Sequence, residues 1–252
     1  MAQLSTIVQY LDTLLKPHTF QDWSGAHNGL QYENDGQVLK VGAAVDSHIG
    51  VLEMARDQKI DLLIVHHGLF WMQTVPWTKG TRKKMQILEE SNLAVYSSHL
   101  PLDAHAKYGN NILLAQELGF TKSEPFFEEH GTLIGRLVKS RISFETLSEQ
   151  VSKAISGHRV VSMPFGPKRC EKIGIVSGGA GAELAKAASL GLDTFITGEG
   201  PHWTFGLAQE LGVNVIYAGH YATETFGVRR VAEEVSRKFK ITWSFLDIPS
   251  EL

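Results

Sequence analysis

His66, His67, His99, Asp103, Glu199, His220 and Glu224 have the residue types and spacing of a metal centre. His66 and His67 are adjacent, close the apolar run from Ile60 to Val65, and precede Gly68. Two neighbouring imidazoles at the end of a buried strand are costly to keep for packing alone, because a buried polar group must be paired. His99 and Asp103 stand four apart after a second apolar run, and His220 and Glu224 repeat that spacing after a third. Imidazole with carboxylate suits Zn, Fe, Mn, Co or Ni, and the ligand type does not choose among them. Successive residues on a regular strand point to opposite faces. At a strand end broken by Gly68 they diverge less, so each imidazole can serve a different cation. Two-metal hydrolytic sites hold their ions roughly 3.5–4 Å apart, and Asp103 or Glu224 would supply the bridging carboxylate.

These residues need strands to present them. Leu4, Ile7, Val8, Leu11, Leu14 and Leu15 fall at helical spacing and Pro17 ends the pattern. Residues 18–27 read as loop, 29–32 as a short strand and 34–36 as a turn. Val38 to Val45 and Ile60 to Val65 read as buried strands flanking a helix from Ile49 to Gln58, a βαβ unit with parallel strands. Residues 70–80 read as an irregular loop, followed by a helix from about Arg82 to Ser91. A strand from Leu93 to Ser97 then leads to His99. Asn111 to Leu118 is helical with Gly119 as its cap. Thr121 to Gly131 reads as the connection between halves, and residues 241–248 as a last strand.

The second half repeats the first. A constant offset of 132 (Lys40 to Lys172) lays Lys172–Val176 on Lys40–Ala44 and Leu192–Gly200 on Ile60–Gly68. After a shorter connection, Val215–His220 falls on Ala94–His99. Phe144 to Ile155 is helical like residues 4–15, and Arg159 to Met163 is a strand like residues 29–32. The chain therefore reads as α/β, with two similar α/β lobes from an internal duplication and mostly parallel sheets flanked by helices. The lobes span 1–125 and 126–252, with the metal site in the cleft between them. Ligands gather outside the carboxyl ends of parallel strands, where His66, His67, His99, Glu199 and His220 all fall.

The remaining composition is that of a globular, cytoplasmic protein. The 252 residues are 43% hydrophobic and 20% charged, with a net charge of −3. That charge predicts no general attraction to nucleic acid or anionic membrane, and no apolar run approaches the roughly 20 residues of a membrane span. The single Cys170 suits a reducing compartment. Ser177–Gly181 follows a strand and opens a helix. Its amides could cradle a phosphate, and close helix–strand packing explains the glycines equally well. Lys79, Arg82, Lys83 and Lys84 beside Trp77 form the one basic, aromatic segment, which reads as a solvated helix start. His18, His27, His48, His105, His130, His158 and His202 have no comparable support.

The stretches 66–71 (His-His-Gly-Leu-Phe-Trp), 99–105 (His-Leu-Pro-Leu-Asp-Ala-His), 196–199 (Ile-Thr-Gly-Glu) and 219–224 (Gly-His-Tyr-Ala-Thr-Glu) resemble the YbgI-like dinuclear metal-centre family. It is the bacterial branch of the NGG-interacting-factor-type proteins, often labelled GTP cyclohydrolase I type 2 homologues. The resemblance runs from about Leu4 to Pro249 and matches the short form, with no extra domain near residue 125. It implies two similar lobes, a toroidal homohexamer, and two divalent metal ions held by His66, His67, Asp103, His220 and Glu224, with His99 and Glu199 lining the site. Tyr221 departs from the pattern, since some relatives carry a second His there. The leading expectation is a dinuclear metal-dependent hydrolase in which two cations lower the pKa of a bridging water. Glu199 or His99 would move the proton, and a nucleotide would be the substrate. The alternative is a non-catalytic metal-binding scaffold for nucleic acid or a protein partner. Lobe one offers His66-His67 where lobe two offers Gly198-Glu199, which is why Glu199 is assigned to proton transfer rather than to metal.

Overall fold

The computed structural model describes residues 1–71 and 76–250. In chain order the first elements are β1 (Ala2–Gln3), α1 (Leu4–Leu15), β2 (Gly29–Tyr32), β3 (Gln37–Val38), β4 (Lys40–Ala44), α2 (Ile49–Asp57) and β5 (Leu62–Val65). Next come α3 (Lys79–Glu90), β6 (Ala94–Ser97), α4 (Leu100–Asp103) and α5 (Asn110–Glu117). The chain continues with β7 (Glu124–Glu129), β8 (Thr132–Ser143), α6 (Phe144–Ala154), β9 (Val161–Pro164) and β10 (Arg169–Ile175). It ends with α7 (Leu184–Ser189), β11 (Thr194–Thr197), α8 (Thr204–Leu211), β12 (Asn214–Tyr217), α9 (His220–Phe239) and β13 (Thr242–Phe245).

Two compact units result. The first holds Met1–Leu102 together with Gly227–Ile248, and the second holds Asp103–Phe226. These bounds differ from halves at 1–125 and 126–252, because β13 pairs parallel with β4, far back in the chain. In the first unit the sheet order is β13-β4-β5-β6-β2, with β2 antiparallel to β6. All four residues of β5 are buried, as a central parallel strand requires. Leu63 and Val65 pack in one cluster with Val51, Leu52 and Ala55 of α2 and Ile87 and Leu88 of α3. The helix α1 buries Leu4, Ile7, Leu11 and Leu15 along one stripe.

The second unit orders its strands β7-β8-β10-β11-β12-β9, with β9 antiparallel to β12. Its core joins Leu114, Ala115 and Leu118 to Leu147 and Val151 of α6 and to Ile173, Ile175, Ile196 and Ile216 of the three parallel strands. The central motif is thus the same in both units, three parallel strands and an antiparallel neighbour that follows a helix. Register confirms the offset of 132, since Val41 pairs with Leu62 as Ile173 pairs with Thr194.

The third strand corrects the alignment by one residue. Leu62 pairs with Ala94, and Thr194 pairs with Asn214, so Ala94 corresponds to Asn214 rather than to Val215. Ser98 N donates to the Val65 carbonyl as Ala218 N donates to the Thr197 carbonyl. His99 therefore corresponds to Gly219, and His220 corresponds to Leu100, the first residue of α4. The shared His-x-x-x-acid spacing is a coincidence of two strand-to-helix junctions, displaced from each other by one position. A one-residue slide keeps apolar on apolar in both strands, which is why sequence comparison did not detect it.

Two further expectations change. Residues 121–131 are not a connection, because β7 and β8 form a hairpin at the edge of the second sheet, with Phe126 and Phe127 buried. The helix α3 begins at Lys79, where the Thr78 side chain caps it by accepting from Thr81 N at 3.2 Å. Of the loop expected at 70–80, residues 72–75 lie outside the described residues.

Candidate metal centre

In the first unit three imidazoles come together at strand ends. His66 and His67 follow β5 and His99 follows β6. One nitrogen from each of the three lies within 4.8 Å of the others. The rings of His66 and His67 are 4.8 Å apart between centroids and tilted by 47°, so the strand end at Gly68 does let neighbours face the same region. His66 is wholly buried. Trp71 lies edge-on to His67 and His99, with centroids 5.3 and 4.9 Å away.

Each ring is held by its other nitrogen. His66 Nδ1 lies 3.0 Å from the Ser98 carbonyl oxygen, His67 Nδ1 is 2.8 Å from Asp46 Oδ1, and His99 Nδ1 is 2.8 Å from Asp22 Oδ1. A carbonyl or carboxylate oxygen only accepts, so Nδ1 carries a proton in all three rings. That is the support a metal-binding histidine needs, with orientation and tautomer fixed from behind.

Asp22 and Asp46 were missed by sequence reasoning. Asp22 also accepts from Trp23 N, Asn28 Nδ2 and Leu100 N. Burial alone would raise its pKa, but the His99 contact and these donors outweigh burial and bring it down to about 2. A loop of ten residues without regular structure was the available signal for Asp22. For Asp46 it was an acid directly after an apolar strand.

The second unit supplies the carboxylates. Asp103 is buried, and its Oδ1 accepts from Asn110 Nδ2 at 2.8 Å and from Ser177 Oγ at 3.2 Å. His220, at the head of α9, lies between two acids. Its Nδ1 is 2.7 Å from Glu199 Oε1, and its Nε2 is 3.2 Å from Glu224 Oε2. Burial lowers the His220 pKa, and the hydrogen bonds and charges of Glu224 and Glu199 more than reverse this, raising it to about 10. With a carboxylate beside each nitrogen the charged form of the ring is favoured, and a cation at Nε2 would take the place of a proton.

Glycines make this arrangement possible. A Cβ on Gly198 would stand 2.6 Å from the Gly178 carbonyl oxygen and 2.6 Å from His220 Cα. The second unit therefore cannot carry a histidine where the first carries His66. Gly178 has φ +70°, and a Cβ there would overlap the Glu224 carboxylate. The Ser177–Gly181 segment is thereby explained by packing. The amides of Ser177, Gly178, Ala180 and Gly181 donate to Asn111 Oδ1, Thr223 Oγ1, Thr197 Oγ1 and the Glu199 carbonyl. Those four are not available to a phosphate.

The donors fit a metal ion. In the first unit His66, His67 and His99 each bring one nitrogen within 4.8 Å of the others, and in the second His220 lies beside Glu224, all nitrogen and oxygen donors of the kind that hold metal ions. Such groups, at and just beyond the carboxyl ends of parallel strands, are positioned to hold a metal ion in an α/β fold. The sequence profile of the Duf34/NIF3 (NGG1p interacting factor 3) family matches residues 2–251, and the chain belongs to that family. It is 37% identical over 250 residues to a GTP cyclohydrolase 1 type 2 homolog of Archaeoglobus fulgidus, covering 99% of each chain. Among solved structures, TTHA1606 from Thermus thermophilus is 34% identical with a TM-score of 0.89, covering 99% of this chain and 100% of that one. The ybgI protein, described as of unknown function, is 29% identical with a TM-score of 0.90 and the same coverage. Among the described residues no helix is long and apolar enough to cross a membrane.

Proposed function

We propose that this chain is a dinuclear metal-dependent hydrolase-like protein, a GTP cyclohydrolase I type 2 homologue. His66, His67, Asp103, His220 and Glu224 hold two divalent cations. The observation that carries the reading is the convergence of His66, His67 and His99, whose ring nitrogens come within 4.8 Å of one another while each Nδ1 faces an oxygen acceptor. When bound, two such cations would acidify a water and polarise the bond under attack. The chain's own groups do the rest. Asp22 and Asp46 aim His99 and His67, Asn110 and Ser177 aim Asp103, and Glu199 aims His220 while serving, with His99, as the group that moves a proton. The name of a relative, GTP cyclohydrolase 1 type 2 homolog, supports a nucleotide as the substrate. We place the protein in the cytoplasm, in keeping with the single buried Cys170, and expect a homohexamer in solution.

The test is metal analysis of untagged protein, followed by turnover of GTP, phosphodiesters and cyclic amides by wild type and Glu224→Ala. Two metals per chain with turnover lost in the variant are expected. Two metals with no turnover above that of the variant would leave a metal-carrying scaffold instead. Stoichiometry near zero with Fe, Mn and Zn supplied would remove the metal reading itself. His67→Ala and Glu224→Ala should each reduce the metal content.

A further inference from the structure

Beside Glu199 the second unit contains a cavity of about 250 Å³. Gly198, Glu199 and Gly219 line it, together with Tyr217 and Tyr221 and, from the segment before β9, His158 and Arg159. Tyr221 is 4% exposed, and its ring meets His158 edge-on at 6.2 Å between centroids. Arg159 is exposed, so it stands at the mouth, and it makes no ion pair among the described residues. Glu199 has one oxygen committed to His220.

We propose that this cavity is the subsite for the reacting ring of the substrate, and that it takes a six-membered cyclic amide carrying an acidic substituent. Three features select that class. Drug-sized ligands occupy pockets of about 300–1,000 Å³, so this volume admits a single ring and not a whole nucleotide. Aromatic side chains at Tyr217, Tyr221 and His158 suit a planar π-system. The polar groups are complementary to the two ends of such a molecule. Glu199 accepts a ring N–H, and the guanidinium of Arg159 takes an anion in paired hydrogen bonds. Tyr221 and Arg159 then act in specificity, and Glu199 links the ring to His220. The proposal rests on the hydrolytic reading for what happens to the ring, but its binding test does not depend on turnover.

Orotate, uracil and benzoate are suitable probes, each titrated calorimetrically into the full-length protein as purified. Orotate has both features, uracil lacks the acid and benzoate lacks the ring amide. Orotate should bind about tenfold or more tightly than either. Arg159→Ala should remove that advantage over uracil and leave uracil binding unchanged, and Tyr221→Ala should weaken both. Glu224→Ala, which removes a candidate metal ligand, should still bind orotate. The proposal is overturned if orotate gains nothing over uracil, if Arg159→Ala binds orotate normally, or if Glu224→Ala alone abolishes binding, since the probe would then sit on metal. Retained orotate binding with no metal and no turnover would leave the subsite standing while the hydrolase reading fails.

Discussion

Glu199 Oε1 lies 2.7 Å from His220 Nδ1, so the acid that sequence reasoning assigned to proton transfer also holds a candidate ligand. Replacing Glu199 by Gln removes the charge behind the ring while nearly preserving its shape. Metal affinity should fall by about 10–100-fold, the usual cost of losing such a partner, with little change in the unfolding midpoint. Competition with a chromogenic chelator reads this. Unchanged affinity would mean that Glu199 does not support His220.

His220 links the site to pH. Its pKa is raised to about 10 from an ordinary 6.5, so the stabilisation from its pairing with Glu224 and Glu199 is fully present below 6.5. It is lost as pH rises through about 10. In chelator, the Tm of wild type should therefore fall from pH 7 to pH 10 more than that of His220→Gln. At pH 7, binding of a cation at Nε2 should release a proton. Calorimetry in buffers of different ionisation enthalpy measures that release, and a zero slope would contradict the imidazolium.

Gly178 is a backbone position sensitive to a side chain. Gly178→Ala puts a Cβ at φ +70° and against the Glu224 carboxylate. The left-handed conformation alone costs about 1–2 kcal/mol. Urea denaturation should show at least that loss, with reduced metal content at temperatures where the protein is folded. A fully loaded, equally stable variant would show that Glu224 can move without consequence.

Asn110 is fully buried and donates to Asp103. Asn110→Ala should cost about 1.5–3 kcal/mol, as for a hydrogen bond to a charged group, and should lower metal stoichiometry through a misdirected Asp103. Asn110→Asp should be worse, because it sets two carboxylates together.

Trp71 reports on the first unit. Its ring centroid lies 5.3 Å from that of His67, so Mn or Fe bound by His66 and His67 should quench part of the tryptophan fluorescence, and Trp71→Phe should abolish the metal-dependent part. Equal quenching in the variant would place the metal elsewhere.

Much of the site was legible because strand ends are marked by runs of apolar residues. His66-His67 after β5, His99 after β6, Glu199 after β11 and His220 after β12 all lie where periodicity located them. The supports were harder to see. Asp22 sits in a loop without periodicity, and its importance comes from four donors that are distant or inconspicuous in sequence. Asp46 reads as an ordinary acid before a helix. The strand β8 was missed because its exposed alternate residues, Lys139 and Arg141 among them, dilute an apolar face that only packing reveals. The one-residue slide between β6 and β12 is a matter of hydrogen-bond register, which apolar similarity does not encode.

The strand β13 borders β4 although some two hundred residues separate them in sequence. During synthesis on a ribosome, the nascent first unit would present the bare edge of β4 until Thr242–Phe245 emerge, after all of Asp103–Phe226 has been made. An unpaired edge is an aggregation hazard. Fragments lacking β13 should inherit that hazard permanently, and a circular permutant that begins at Lys240, past the end of α9, should escape it.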